Sequence, residues 1–277
     1  MRFWVSHSGG LVDSEDARVS VLDHGFTVAD GVFETLKVVD GQVFALRRHL
    51  ERLTRSAAAM GLPEPDPHVV GSAVEETVSA NAPLLGPLGR LRITYTAGVA
   101  ALGSDRGEAG PTLVIAVSAM TPWPDSAAVV TVPWPRNERS PLAGVKSTSY
   151  AENVLALARA HEHGAGEALM PDTQGRLCEG TGSNVFLVID GELLTPALNT
   201  GCLPGVTRAL VLEWSEATEA DIPMSALHDA EEVFITSSTR DVQPVHRIDD
   251  QAFGAPGSVT RAVREEFQRR SALDLDP

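Results

Sequence analysis

The chain has 277 residues, enough for one large domain or two small ones around a sizeable core. Apolar residues make up 43% and charged residues 21%, the balance of a soluble globular protein. A formal charge of −15 disfavours nucleic acid and anionic membrane as partners, because recognition of phosphates needs a basic surface.

The opening stretch MRFWVSHSGG has no long apolar run and does not read as a signal peptide. The longest buried-looking run, TLVIAVSAM at 112–120, is too short to span a bilayer. Cys178 and Cys202 lack metal-ligand spacing and cannot form a disulfide scaffold. A cytoplasmic location, no membrane contact and no metal site are the expectations.

Residues 2–6 read as a short strand closed by the Gly9-Gly10 turn. Residues 32–39 look extended, and Asp40-Gly41 is a strong hairpin turn into QVFAL. A helix follows from Leu46 to Met60, with Leu46, Leu50, Leu53, Ala57 and Met60 along one apolar face and His49 and Arg52 off it. A second helix starts with Asp66 as cap and Pro67 at the first position, ending near Ala82. Strands follow around 89–97 and 112–118.

The proline-containing TPWPDS at 121–126 reads as an interdomain linker. It would separate a small α+β domain at 1–120 from a larger one at 127–277 that carries Lys146. In the second half, strands are expected near 129–133, 167–170, 184–189 and 232–236, and SSTRDVQP reads as a polar loop. Helices are expected after Lys146, with Ala151, Val154, Leu155 and Ala158 as the apolar face, from Gly205-Val206, and over 258–270. Strands and helices mix without strict alternation, so the fold class is α+β with two lobes.

Of the 22 Lys and Arg residues only Lys37 and Lys146 are lysines. Arg cannot lose its proton, whereas a neutral lysine amine can attack a carbonyl or take a substrate proton. Lys146 sits ahead of a predicted helix start, where the positive end of the dipole favours a neutral amine. The plain alternative is a solvated lysine before a surface helix. In LPGVTRALVLEW, Gly205, the Val206 backbone and the Thr207 hydroxyl stand at a helix start suited to an anion. The turn SSTR at 237–240 is a second hydroxyl-rich candidate. Glu179, before a glycine turn, could keep a ring nitrogen protonated through a charge-assisted hydrogen bond. A neutral lysine, a phosphate cup and an acid for a pyridine nitrogen together fit pyridoxal 5'-phosphate.

At this point the sequence resembles the class IV pyridoxal-phosphate enzymes, whose fold is shared by D-amino-acid and branched-chain transaminases and by aminodeoxychorismate lyase. DHGFTVADGVFET at 23–35, HLERL at 49–53, the Lys146 segment, EGTGSNVF at 179–186 and GCLPGVTR at 201–208 carry the resemblance over nearly the whole chain. It implies Lys146 as the Schiff-base lysine, Arg52 as a phosphate ligand and Glu179 as the partner of the pyridine nitrogen. It also implies Tyr150 near the phenolic oxygen, with Val206, Thr207 and Ser238 around the phosphate. It implies a two-domain homodimer acting on a small amino substrate, with the cofactor between the domains and residues near Phe33 and Arg106 reaching a neighbouring site. Arg92, Arg106 and Arg240 are the candidates for the substrate carboxylate, with Phe33 and Thr239 as further substrate contacts. Ala29 departs from the family, where glycine is usual; a minor effect is expected.

RLRITYTAG and KSTSYAEN resemble the lyase more than D-amino-acid transaminases, which typically carry an arginine at the position of Ala97 and a tyrosine at that of Phe33. The resemblance places Thr35 at the position of a catalytic threonine of lyases. On this ground 4-amino-4-deoxychorismate lyase, releasing 4-aminobenzoate and pyruvate for folate synthesis, is the favoured reading. A D-amino-acid or branched-chain transaminase is the alternative. A non-catalytic binding homologue is the third, disfavoured because a dead homologue would have no chemical need for Lys146.

Overall fold

A computed structural model describes residues 1–277. The chain divides into two compact units. The first comprises Met1–Pro122, Val145–Ser149 and Leu275–Pro277; the second comprises Trp123–Gly144 and Tyr150–Asp274. The division after Pro122 lies inside the TPWPDS stretch. One expectation is corrected: residues 145–149 belong with the first unit and not with the C-terminal domain. The reason is backbone pairing, since the Phe33 N–H donates to the Lys146 carbonyl at 2.9 Å and the Thr148 N–H to the Gly31 carbonyl at 2.8 Å.

The first unit contains β1 (Arg2–Val5), β2 (Gly10–Asp13), α1 (His24–Thr27), β3 (Gly31–Val39), β4 (Gln42–Val43), α2 (Leu46–Ala59), α3 (Pro67–Leu85), β5 (Leu88–Thr96) and β6 (Thr112–Ala119). Its sheet runs in the order β2-β1-β6-β5-β3-β4. Period-two alternation sorts the two faces. Val32, Leu36 and Val38 of β3, Leu91, Ile93 and Tyr95 of β5, and Leu113, Ile115 and Val117 of β6 meet residues of α2 and α3 in one core. Phe33, Thr35 and Lys37 therefore point to the opposite face, where Thr35 pairs with Arg92 and Lys37 with Arg90. Asp66 caps α3 by accepting from the His68 N–H at 2.8 Å. The helix runs past the expected end, through Pro83 to Leu85, because Leu85 is itself buried in this core.

The second unit contains β7 (Ala127–Thr131), α4 (Ala151–Glu162), β8 (Glu167–Pro171), β9 (Leu177–Gly180), β10 (Asn184–Ile189), β11 (Glu192–Pro196), α5 (Val206–Trp214), β12 (Thr218–Ala220), β13 (Glu232–Ser237), β14 (Asp241–Ile248), β15 (Gln251–Ala252) and α6 (Ser258–Leu273). The sheet order is β12-β11-β10-β13-β14-β7-β8-β9, with β15 on β14. Phe186 and Phe234 stack across β10 and β13 with centroids 4.8 Å apart.

Two further expectations are corrected in this unit. The presumed loop SSTRDVQP turns directly into β14, which pairs with β13 from Asp241 onward. Pro244 is tolerated because the parallel ladder with β7 begins only at Val245, so no N–H is needed there. In α4 the buried face is Asn153, Ala156 and Ala160, while Val154 and Leu155 are exposed. Asn153 sets this rotation: its amide donates to the Thr181 carbonyl at 2.6 Å and its oxygen accepts from Arg136 at 3.3 Å. Burying those polar partners fixes the helix more firmly than the apolar repeat does. No helix is long and apolar enough to cross a membrane.

Candidate active site

In the first unit Lys146 lies on the short segment hydrogen-bonded to the start of β3. It is not at the helix start itself, since α4 begins only at Ala151. Its Nζ stands 4.3 Å from the centroid of the Phe33 ring, and the Arg92 guanidinium stands 3.8 Å from the same centroid. An amine, an aromatic wall and a guanidinium therefore meet on the sheet face turned away from α2 and α3. Thr35, one step along β3 from Phe33, shares that face opposite Arg92. Lys37, the other lysine, is nearly buried and lies 5.2 Å from the Phe44 ring.

Behind that strand lies a polar cluster that the sequence reading missed in part. Glu34 is fully buried. Its carboxylate accepts from Arg52 Nε at 2.8 Å and Nη2 at 2.6 Å, and meets His49 Nδ1 at 2.6 Å. Burial alone would raise the Glu34 carboxyl, but Arg52 and His49 outweigh it and bring it to about 2. Burial also pushes the His49 imidazole below its usual value, with Arg52 and Lys146 acting the same way against Glu34. A neutral ring with its proton on Nδ1, donated to Glu34, follows. Ser56, also buried on α2, lies 3.5 Å from the Lys146 backbone N–H. His49, Arg52 and Ser56 thus form one polar stripe. The signal for it was present: a glutamate in the inward phase of a strand, facing a histidine and an arginine three apart on a helix.

The three arginine candidates separate. Arg106 grips Asp30 bidentately at 2.7 and 2.6 Å and donates to the carbonyls of Gly61 and Met60, which occupies its guanidinium in bracing its own loop. Arg240, in the second unit, stacks on Trp123 at 3.7 Å and donates to Gln243 and to the Gly166 carbonyl. Thr239 accepts from the Trp123 indole at 3.3 Å. Both residues expected to touch substrate therefore anchor the SSTR turn on Trp123. Only Arg92 shares an aromatic ring with Lys146.

In the second unit α5 starts at Val206 with Gly205 as N-cap and no side-chain cap, and Val206 and Thr207 are buried. A Cβ on Gly205 would come within 2.0 Å of Asn184 Oδ1, so the close approach requires glycine. Asn184 in turn donates to the Leu203 carbonyl at 2.9 Å and fixes the loop. Ser238 lies in the turn between β13 and β14, and Tyr150 precedes α4. Glu179, 8% exposed on β9, accepts from the Leu203 N–H at 2.9 Å and lies 3.3 Å from Arg136 Nε. Arg136 was not anticipated; nothing in its local sequence marks it. Glu167, buried at the start of β8, accepts from the Thr181 hydroxyl and from Ser183 at 2.9 Å. Burial pushes both cysteine thiols up, Cys202 to about 11, so neither is a thiolate ligand or nucleophile at neutral pH. No group of three or more His, Cys, Asp or Glu is placed to hold a metal.

These residues fit pyridoxal 5'-phosphate by the chemistry of their donors. A buried helix start without a side-chain cap offers N–H groups and a positive dipole end to a phosphate. A nearly buried carboxylate suits a protonated ring nitrogen. The half-buried Lys146, in the first unit, has the primary amine such a cofactor would need.

The sequence model of the family described as Amino-transferase class IV matches residues 31–248. A provisional branched-chain-amino-acid aminotransferase of Methanocaldococcus jannaschii is 35% identical over 273 residues, covering 94% of each chain. A D-alanine aminotransferase of Staphylococcus haemolyticus is 31% identical over 288 residues, covering 95% of each. The crystal structure of the branched-chain aminotransferase of Thermoproteus uzoniensis with norvaline superposes with a TM-score of 0.89 at 30% identity, covering 97% of this chain and 94% of that one.

Proposed function

Because the chain belongs to the amino-transferase class IV family and has its α+β fold, we propose that it is a transaminase for branched-chain L-amino acids. Enzymes of this family use pyridoxal 5'-phosphate, which when bound supplies an electron sink for the carbon next to the substrate nitrogen. The single observation that carries the reading is the meeting of Lys146 and Arg92 on the Phe33 ring.

In this reading the Lys146 amine would hold the cofactor and would move the proton to and from the substrate's α-carbon. Arg92 binds a substrate carboxylate through paired N–H donors. Phe33 lines the side-chain space and excludes water. Glu179, beside Arg136, accepts a hydrogen bond from the protonated ring nitrogen. Val206 and Thr207, with Arg52 and Ser238, hold the phosphate, and Tyr150 the phenolic oxygen. The branched-chain donor is supported by the relatives named for that activity, and by Phe33 and Ala97 where D-amino-acid transaminases typically carry tyrosine and arginine.

The lyase favoured by the sequence reading is the second reading. One observation supports it: the Thr35 hydroxyl lies on the Phe33 face, opposite Arg92, where it could hand a proton to a leaving group. It ranks second because the relatives at 30% identity or more carry transaminase names. A homodimer is part of the same proposal, and light scattering checks it.

The test supplies the purified, cofactor-loaded enzyme with L-leucine, L-valine or D-alanine plus 2-oxoglutarate, and separately with 4-amino-4-deoxychorismate alone. Glutamate formation from the L-donors supports the proposal. Turnover of D-alanine only, or release of 4-aminobenzoate and pyruvate, overturns it.

A further inference from the structure

Helix α2 has no cap of its own. Ala45, the residue before it, sits at φ 55 and offers no side-chain acceptor. The acceptors come from residues 275–277, at the other end of the sequence. The Ala45 N–H donates to the Leu275 carbonyl at 2.7 Å, and the Arg47 N–H donates to Asp276 Oδ1 at 2.9 Å. The Arg47 and Arg48 guanidinium groups donate to the Pro277 carbonyl oxygen at 3.0 and 2.7 Å. Asp276 therefore takes the part that Ser, Thr, Asp or Asn plays just before most helices, and its charge suits the positive end of the dipole.

What this cap controls is the polar stripe of α2. The His49 N–H bonds to the Ala45 carbonyl at 3.2 Å, so the first turn that Asp276 ties down ends on His49. The next polar positions are Arg52, paired with Glu34, and Ser56, beside the Lys146 backbone. Fraying of the first turn would loosen His49, hence one of the groups that orient Glu34, hence the setting of Arg52. We propose that Asp276 is a positioning residue for the active site, acting as a cap from the far end of the same chain that sets α2 so that Arg52 meets the cofactor phosphate. The inference rests on the reading of Arg52 as a phosphate ligand.

Asp276 is exposed, so its removal leaves no cavity. The experiment uses the full chain, with Asp276→Ala, Asp276→Asn and Arg52→Lys, titrated with pyridoxal 5'-phosphate and, separately, with pyridoxal, which lacks the phosphate. Amide hydrogen exchange is followed in parallel. Asp276→Ala is expected to weaken binding of the phosphorylated form by about three- to tenfold, the range of a lost cap, and to leave pyridoxal binding unchanged. It should speed exchange at 46–49 but not in α3. Asp276→Asn, which still caps, should retain most of the affinity.

Unchanged affinity in Asp276→Ala, with clear weakening in Arg52→Lys, overturns the positioning role while sparing the reading of Arg52. Unchanged affinity in Arg52→Lys overturns both. Equal loss of phosphorylated and unphosphorylated forms in Asp276→Ala assigns the residue to general stability and overturns the proposal.

Discussion

The starts of α2 and α5 solve the same physical problem in opposite ways. Every helix begins with N–H groups that have no partner inside it. At α2 the protein closes that end itself, with Asp276 and Leu275 brought from the far end of the chain. At α5 no side chain closes it, Gly205 leaves no room for a Cβ, and the first residues are buried nonetheless. At α2 the closed end leads into the buried polar positions His49, Arg52 and Ser56. A buried end without a side-chain cap suits the phosphate proposed for it.

The contrast can be broken at several points. The largest effect is expected at the closed cluster: Arg52→Ala strands the fully buried Glu34 carboxylate and should cost about 3–5 kcal/mol in chemical denaturation. A loss under about 1 kcal/mol would show that the trio is not a coupled unit. At the other helix, Gly205→Ala forces a contact of 2.0 Å with Asn184. It should weaken cofactor binding by about tenfold or more, or ~1.4 kcal/mol, read by absorbance titration.

Acid should distinguish the two regions as well. The folded Glu34 carboxyl is lowered from 4.5 to about 2. The stability it contributes is therefore complete above about 4.5 and lost as the pH falls towards 2. Thermal unfolding from pH 6 down should show this acid limb, and Arg52→Ala should flatten it.

The smallest effect concerns the departure from the family at Ala29, which adopts φ 57. That is a left-handed conformation costly for any residue with a Cβ, so glycine's prevalence there has a backbone cause. Ala29→Gly should raise stability by about 0.5–1 kcal/mol, seen as a small rise in Tm.

Much of this was legible in the sequence, for local reasons. The Asp40-Gly41 turn, the Asp66-Pro67 helix start and the extended run of β3 follow from local residue chemistry, and the structure contains each. The α5 start could be read because an uncapped glycine before a helix is a local feature. What escaped depends on contacts between distant segments. The lysine segment joins the first unit through β3, α4 turns on Asn153 to reach Thr181, and α2 is capped from 229 residues away. Arg106 and Arg240 looked equal to Arg92 as carboxylate ligands, because nothing local tells a guanidinium already engaged by Asp30 or Trp123 from one beside Lys146.

The most direct test of the account uses the scarcity of lysine. The cofactor-loaded protein would be reduced with borohydride, digested, and the modified lysine located by mass spectrometry. The account predicts the label on the peptide containing Lys146 and none on Lys37. A label on Lys37, or a cofactor lost intact from the reduced protein, would contradict it.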